Sequence, residues 1–364
     1  MKKIHLCLLL VLVGISCSKR IEDDFVNEKS LSLKTVSAPL SLSDLFDSVQ
    51  FVPFENGRQC MLSYAKKTLV RNGCVYVLDQ QPRPTIKVFA TNGKYIRNIG
   101  RIGHGRGEYI DIDDFTINED GDSIFILCNN RVNAYNQEGT FLFSKHIDIK
   151  GVVRRLEACR GGYVCLTEYK GNDFLLHFMD YYFDVRKDLI SSDGIIIKEP
   201  SEVLYPIQVD GKYVWYYNSF NSTFYVVDTQ DGYKISKYNI NSDKAYKIEQ
   251  FKNYAFTTNY DGVSTFHVDD GMITGIFHKA NHGDMYFHWE MNSDIMSVIP
   301  MDGWIPYFYV ANGNMHYSVM EQDAFIRLHK QMAILNKISN NFLDASKMVT
   351  EKNNFILVVT YLQK

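Results

Sequence analysis

The stretch that decides the fold runs from Ile86 to Ile117, IKVFATNGKYIRNIGRIGHGRGEYIDIDDFTI. Ile86 and Val88 alternate with Lys87 in an incoming strand, and Tyr95, Ile96 and Ile99 surround Lys94 and Arg97 in an outgoing one. Between them Asn92-Gly93 supplies two residues tolerant of positive φ, a strong short-range hairpin signal. Gly100, Gly103, Gly105 and Gly107 then crowd into eight residues before Glu108, Tyr109 and a further alternating strand. A run so rich in glycine loses chain entropy and offers no side chains to a sheet, so it reads as a tight crossover between strand groups. A phosphate cradle is the competing reading. It fails because Gly103 to Gly107 carries no Lys-Ser/Thr pair and no helical pattern follows.

Working outward, turn residues recur at Gly93, Gly139, near Asp184 and at Gly232, spaced 46, 45 and 48 residues apart. An aliphatic and aromatic strand precedes each: Ile86 to Phe89, Val132 to Tyr135, Phe174 to Met179 and Phe224 to Asp228. Further upstream lie Val75 to Leu78, Ile124 to Leu127, Tyr163 to Leu166 and Tyr213 to Tyr217, and a fifth unit shows at Tyr254 to Thr258, Val263 to Val268 and Met272 to Phe277. Roughly 45 residues holding four short strands is propeller-blade periodicity. The aromatic content, 14%, favours strands throughout. An irregular last unit spans a helical spacing at Phe325, Leu328, Met332, Leu335 and Ile338 and ends in the apolar run Phe355 to Leu362. Five repeats and this unit predict six blades over residues 38–364. Because a free edge strand invites aggregation, Val49 to Phe54 and the C-terminal strand are expected to close one blade together.

The segment Val88 to Ile117, with Gly107-Glu108-Tyr109 at its centre, resembles the signature of the six-bladed β-propeller lipoproteins of Bacteroidota, relatives of NHL-type propellers. Arg106 stands where that family usually has proline. The likeness extends to Ser41–Glu55, Val75–Asp79 and Asn353–Lys364, and elsewhere is one of rhythm. It implies an all-β, six-bladed propeller in an exported lipoprotein. Gly103, Gly105, Gly107, Glu108 and Tyr109 are its structural signature, with Glu108 bonding backbone amides and Tyr109 packed between blades.

Residues 1–16 read as a processed signal, with Lys2 and Lys3 followed by an apolar run from His5 to Val13 that is too short to span a bilayer. Cys17 after Gly14-Ile15-Ser16 resembles a lipobox, which makes Cys17 the expected lipidation site and the outer membrane the expected location, facing either side. Residues 17–37 are polar and mixed in charge and read as a flexible tether. Five cysteines remain beyond Cys17: Cys60, Cys74, Cys128, Cys159 and Cys165. An odd set in an exported chain cannot all pair internally, and none has metal or redox spacing, so most are expected to be small buried hydrophobes.

A net charge of −3 offers no field for nucleic acid. Asp111, Asp113 and Asp114 with Glu108 contain oxygen ligands for Ca²⁺, but their spacing matches no Ca²⁺ loop and a solvated or capping role is preferred. His267, His278, His282 and His288 crowd one region and are weak candidates for a Zn²⁺ site, without HExxH or a helix to align them. Trp215, Tyr216, Tyr217, Phe220, Trp289, Trp304, Tyr307 and Tyr309 suit a sugar-binding platform, yet aromatics between blades are ordinary core. No nucleophile elbow or kinase set is present. The expectation is therefore a binding or scaffold module for an envelope protein or glycan, without a cofactor; the alternative is a metal-assisted lyase or hydrolase on the same fold.

Overall fold

The computed structural model describes residues 25–168, 173–192, 205–245, 260–302, 310–312, 315–327 and 355–362. They are organised as successive four-stranded antiparallel meanders. The first comprises Ala65–Arg71, Cys74–Asp79, Thr85–Ala90 and Tyr95–Ile99; the second, Asp114–Ile117, Ser123–Cys128, Arg131–Asn136 and Phe141–His146. The third runs through Val153–Cys159, Gly162–Thr167, Phe174–Met179 and Val185–Ser191, and the fourth through Ile207–Asp210, Tyr213–Asn218, Thr223–Asp228 and Lys234–Asn241. Gly262–Asp269, Met272–Lys279, Gly283–Glu290 and Ile295–Ile299 form the fifth. A closing sheet orders Val310–Asn312, Met315–Glu321, Phe355–Leu362 and finally Phe46–Pro53 from the other end of the chain, with Val358 opposite Phe51. The chain is an all-β propeller.

The first strand of each meander touches the first strand of the next, and Val310–Asn312 of the closing sheet touches both Gly262–Asp269 and Ala65–Arg71, so the circuit closes on itself. This arrangement explains the burial pattern. Second strands are covered on both faces by neighbouring sheets, so Cys74–Asp79 and Gly162–Thr167 are buried almost throughout, whereas the outermost strand Phe141–His146 is mostly exposed. The core accordingly divides into wedges between neighbouring sheets, such as the one joining Phe89 and Phe54 to Leu357 and Tyr317.

One expectation fails at the N-terminus. Within the presumed tether, Phe25–Thr35 is a strand that pairs in parallel with Lys234–Asn241 of the fourth meander and then with Ile295–Ile299 of the fifth, joining them in one nine-stranded sheet. Leu31 is fully buried beside Trp215 and Trp289. The sequence concealed this because Asn27 and Lys29 share the inward rhythm of Phe25, Leu31 and Leu33, so the alternation looked polar. Two outer strands that would each present free N–H and C=O groups to water are satisfied by this one insertion.

The hairpin at Asn92-Gly93 forms, but Gly93 alone of the pair takes a positive φ, at 86°, with its amide donating to Ala90 O at 2.9 Å. The helical spacing near the C-terminus begins as the helix Gln322–Arg327, and the remainder of it lies outside the described residues, as do the signal segment, Cys17 and Tyr254 to Thr258.

Candidate functional site

A meander that begins at the propeller axis leaves its first strand with one unpaired edge, and three amides on these edges are met by side chains from other meanders. Leu156 N donates to Asp114 Oδ2 at 2.8 Å, Ala158 N to Thr116 Oγ1 at 3.0 Å, and Thr68 N to the Tyr205 hydroxyl at 3.1 Å. The hydroxyl in turn donates to Lys66 O at 3.3 Å, so Tyr205 reaches from the entry of the fourth meander to the first. Polar side chains are thus drawn to the axis by the backbone they must satisfy.

There they form a buried charge cluster. Lys67 Nζ lies 3.0 Å from Asp114 Oδ1 and 2.5 Å from Glu157 Oε1, and Lys67 and Asp114 are 4% and 2% exposed. Burial works against the Lys67 charge, but Asp114 and Glu157 outweigh it and hold the ammonium more firmly protonated than usual. Burial, reinforced by the Asp114 charge and opposed by Lys67 and Arg155, pushes the Glu157 carboxyl up to about 7. Thr116 Oγ1 also reaches Glu157 Oε2 at 3.4 Å.

Two cavities adjoin the cluster. A narrow one, with about 10 Å³ for a water-sized group, is lined by Lys66, Lys67, Asp114, Arg155, Glu157 and Tyr205 among others. A larger one of about 110 Å³ shares Glu157, Tyr205 and Ile207 with it and takes lining from the first strands of the first five meanders, ending at His267. His267 is buried and has no hydrogen-bond partner on either ring nitrogen among the described residues. Its ring meets that of His316 edge-on at 4.8 Å. Burial, with His316 adding to it, pulls His267 down to about 3, and burial pulls His316 down to about 4.

A family profile described as a domain of unknown function, DUF4934, matches residues 28–361. The chain belongs to the DUF4934 family. Among solved structures, a Bacteroides fragilis protein described as exported is similar to this DUF4934 chain at 19% identity and a TM-score of 0.67, covering 93% of this chain and 100% of that one. A member of the DUF4221 family from Bacteroides vulgatus is similar at 12% identity and a TM-score of 0.55, covering 88% and 97%. No curated protein matches the chain. At these identities the likeness is one of fold.

The histidines singled out from the sequence do not converge in the DUF4934 propeller. His267 lies opposite Thr274, and Thr274 opposite His288, so two strand spacings, roughly 10 Å, separate those backbones. His278 instead engages Asp284 Oδ1 at 2.9 Å at the far end of its strand, and His282 is exposed in the adjoining turn. Among the described residues no three His, Cys, Asp or Glu side chains are grouped to hold a metal ion. The aspartate group also disperses. Asp113 accepts from Asn129 N and Arg154, both at 2.8 Å, Asp111 accepts from Ile112 N at 2.8 Å, and only Asp114 turns to the axis.

Of the aromatic candidates, Trp215, Tyr216, Tyr217, Phe220 and Trp289 are buried in two core wedges, while Trp304, Tyr307 and Tyr309 lie outside the described residues. All five cysteines beyond Cys17 are free; Cys60, Cys159 and Cys165 are buried, and Cys74 and Cys128 half-buried. The glycine-rich stretch folds as a closed loop. Arg101 and Ile102 pair in parallel with Glu108 and Tyr109, Gly105 N donates to Glu108 Oε2 at 2.7 Å, and the Tyr109 hydroxyl donates to Ile99 O at 2.9 Å. That amide and the Arg101 guanidinium hold the Glu108 carboxyl below its ordinary range.

Sequence reading missed Lys67, Glu157 and Tyr205 altogether. The one available signal was Lys66-Lys67 at the start of a short strand, where a doubled charge is unexpected so close to a core.

Proposed function

We propose that this DUF4934 chain is an exported lipoprotein, anchored in the outer membrane through Cys17, whose six-bladed propeller binds an envelope protein or a glycan at its axis. The six blades are the five meanders and the closing sheet. Export is supported by Lys2, Lys3 and the short apolar run before Cys17, and by the exported description of the similar Bacteroides fragilis protein. The observation that carries the binding site is the axial cavity of about 110 Å³, lined from five separate meanders and polar at Thr116, Gln208 and His267. Recognition by polar groups held on rigid strands suits a ligand that brings hydroxyls of its own.

The reading is tested in two arms. Cys17→Ala is expected to abolish labelling by a clickable fatty acid, and persistence of the label overturns the lipoprotein assignment. The purified chain, screened against envelope glycans and by cross-linking in cells, is expected to show saturable binding without change to the ligand. Absence of any saturable ligand overturns the binding role.

A second reading, a lyase or hydrolase on the same fold, is favoured by one observation. Glu157 near 7, in a buried setting beside a lysine, matches what a general acid or base requires. Product formation from a bound glycan, lost in Glu157→Gln with binding retained, would establish it.

A further inference from the structure

Three cations and two acids line the narrow axial cavity: Lys66, Lys67 and Arg155 with Asp114 and Glu157. Both carboxylates are already engaged by Lys67. The remaining two cations have no carboxylate partner among the described residues. Lys66 Nζ donates to Asp113 O at 2.9 Å, and Arg155 to Arg154 O at 3.1 Å. A lysine and an arginine converging on one cavity repel each other, and the hydrogen-bond acceptors they have there are backbone oxygens rather than carboxylates. Burial and then the Arg155 charge pull Lys66 below the ordinary lysine range; Asp114, Asp113 and Asp111, none of them ion-paired with it, offset this only in part.

We infer that Lys66 and Arg155 form a seat for the carboxylate of a small, hydroxyl-rich acid, whose neutral body occupies the larger cavity alongside. Size selects the anion, because a space for about one water-sized group admits a carboxylate oxygen rather than a bulky ester. Continuity selects the body. The two cavities share Glu157, Tyr205 and Ile207, and the larger one presents Thr116, Gln208 and the unpartnered ring nitrogens of buried His267. An imidazole held neutral there both donates and accepts, which fits a hydroxyl group. The inference rests on the reading of the axis as a binding site and adds the class of ligand: an acidic sugar or comparable polyhydroxy acid.

Titration calorimetry of the full chain with D-glucuronate, its neutral methyl ester and D-glucose tests it. Glucuronate is expected to bind at least roughly tenfold more tightly than either neutral compound, the worth of a charge-assisted hydrogen bond. Lys66→Gln and Arg155→Gln are each expected to lose roughly tenfold in glucuronate affinity or more, with Lys66→Arg retaining it. Without ligand, Lys66→Gln is expected to keep or raise the melting temperature, since burial and the Arg155 charge both disfavour its ammonium; a purely structural lysine would lower it. Equal binding of acid and ester, or unchanged affinity in both Gln variants, overturns the carboxylate seat. Capture of a neutral glycan or a protein at the axis, with no affinity for glucuronate, overturns the seat while leaving the binding module standing. Failure of every ligand removes both.

Discussion

Two regions of this propeller satisfy a carboxylate in opposite ways. In the glycine-rich crossover, Glu108 finds Gly105 N three residues away and Arg101 seven residues away, at a surface where Arg101 is mostly exposed. At the axis, Lys67 meets Asp114 and Glu157 from 47 and 90 residues away, in a site nearly closed to water. An exposed ion pair is screened and contributes little, whereas a buried one becomes costly when a member is removed. The local contact shapes a loop. The distant one ties the first strands of three meanders together and charges the cavity between them.

The largest effect expected from this difference is in Lys67→Met. It leaves Asp114 and Glu157 facing each other without their ion-pair partner, and loss of one partner from a buried ionic cluster costs about 3–5 kcal/mol. Denaturant unfolding at neutral pH should show a loss of that order, partly restored on adding Glu157→Gln. A loss below about 1 kcal/mol would mean that water reaches the cluster freely and that the two regions do not differ in kind.

The same contrast explains what could be read from the chain alone. The 45-residue rhythm, the Asn92-Gly93 turn and the Gly107-Glu108-Tyr109 signature depend on residues close in sequence, whose φ angles, alternation and short-range bonds follow from their own types. The closing pair Phe46–Pro53 and Phe355–Leu362 could be anticipated because edges must be covered. The axial cluster follows from no local rule. Lys67, Asp114 and Glu157 look like ordinary strand charges until the ring brings three first strands within bonding distance. The strand Phe25–Thr35 was lost for a related reason, since its partners lie some 200 residues away and supply the apolar environment that its own composition does not announce.

Buried titratable groups sharpen the comparison through pH. Glu157 has a folded-state value raised to about 7 from 4.5, so the folded protein holds its proton more tightly than the unfolded chain. Its contribution is fully present below pH 4.5 and is lost as pH rises through about 7. His267 and His316 are depressed from 6.5 to about 3 and about 4. Their contribution is present above pH 6.5 and is lost as pH falls toward those values. Melting temperatures measured across this range should therefore diverge in two directions. Relative to the parent, Glu157→Gln should gain at pH 8 and lose that advantage toward pH 4.5. His267→Phe should instead gain below pH 6.5, where the parent must accommodate a proton on a buried ring. Parallel profiles for the parent and both variants would show that neither site titrates differently on folding.

The smallest effect belongs to the crossover, and it is best measured as a coupling. Gly107 sits at φ 71°, where a side chain is strained, and a Cβ there would lie 2.4 Å from Phe141. Gly103 is different: its φ is ordinary, and a Cβ would lie 2.0 Å from Glu108 Oε2. Glycine is needed at 103 only because the Glu108 carboxylate folds back over it to reach Gly105 N and Arg101. Gly103→Ala and Glu108→Ala should each lower the melting temperature modestly. Made together, they should cost less than the sum, because without the carboxylate the new methyl group has nothing to strike. Gly107→Ala, governed by its own backbone and by Phe141, should add to Glu108→Ala without such relief. If Gly103→Ala proved equally harmful in both backgrounds, or if Glu108→Ala left stability intact while removing ligand binding, the crossover would owe its form to something other than this local bond, and the contrast with the axis would fail.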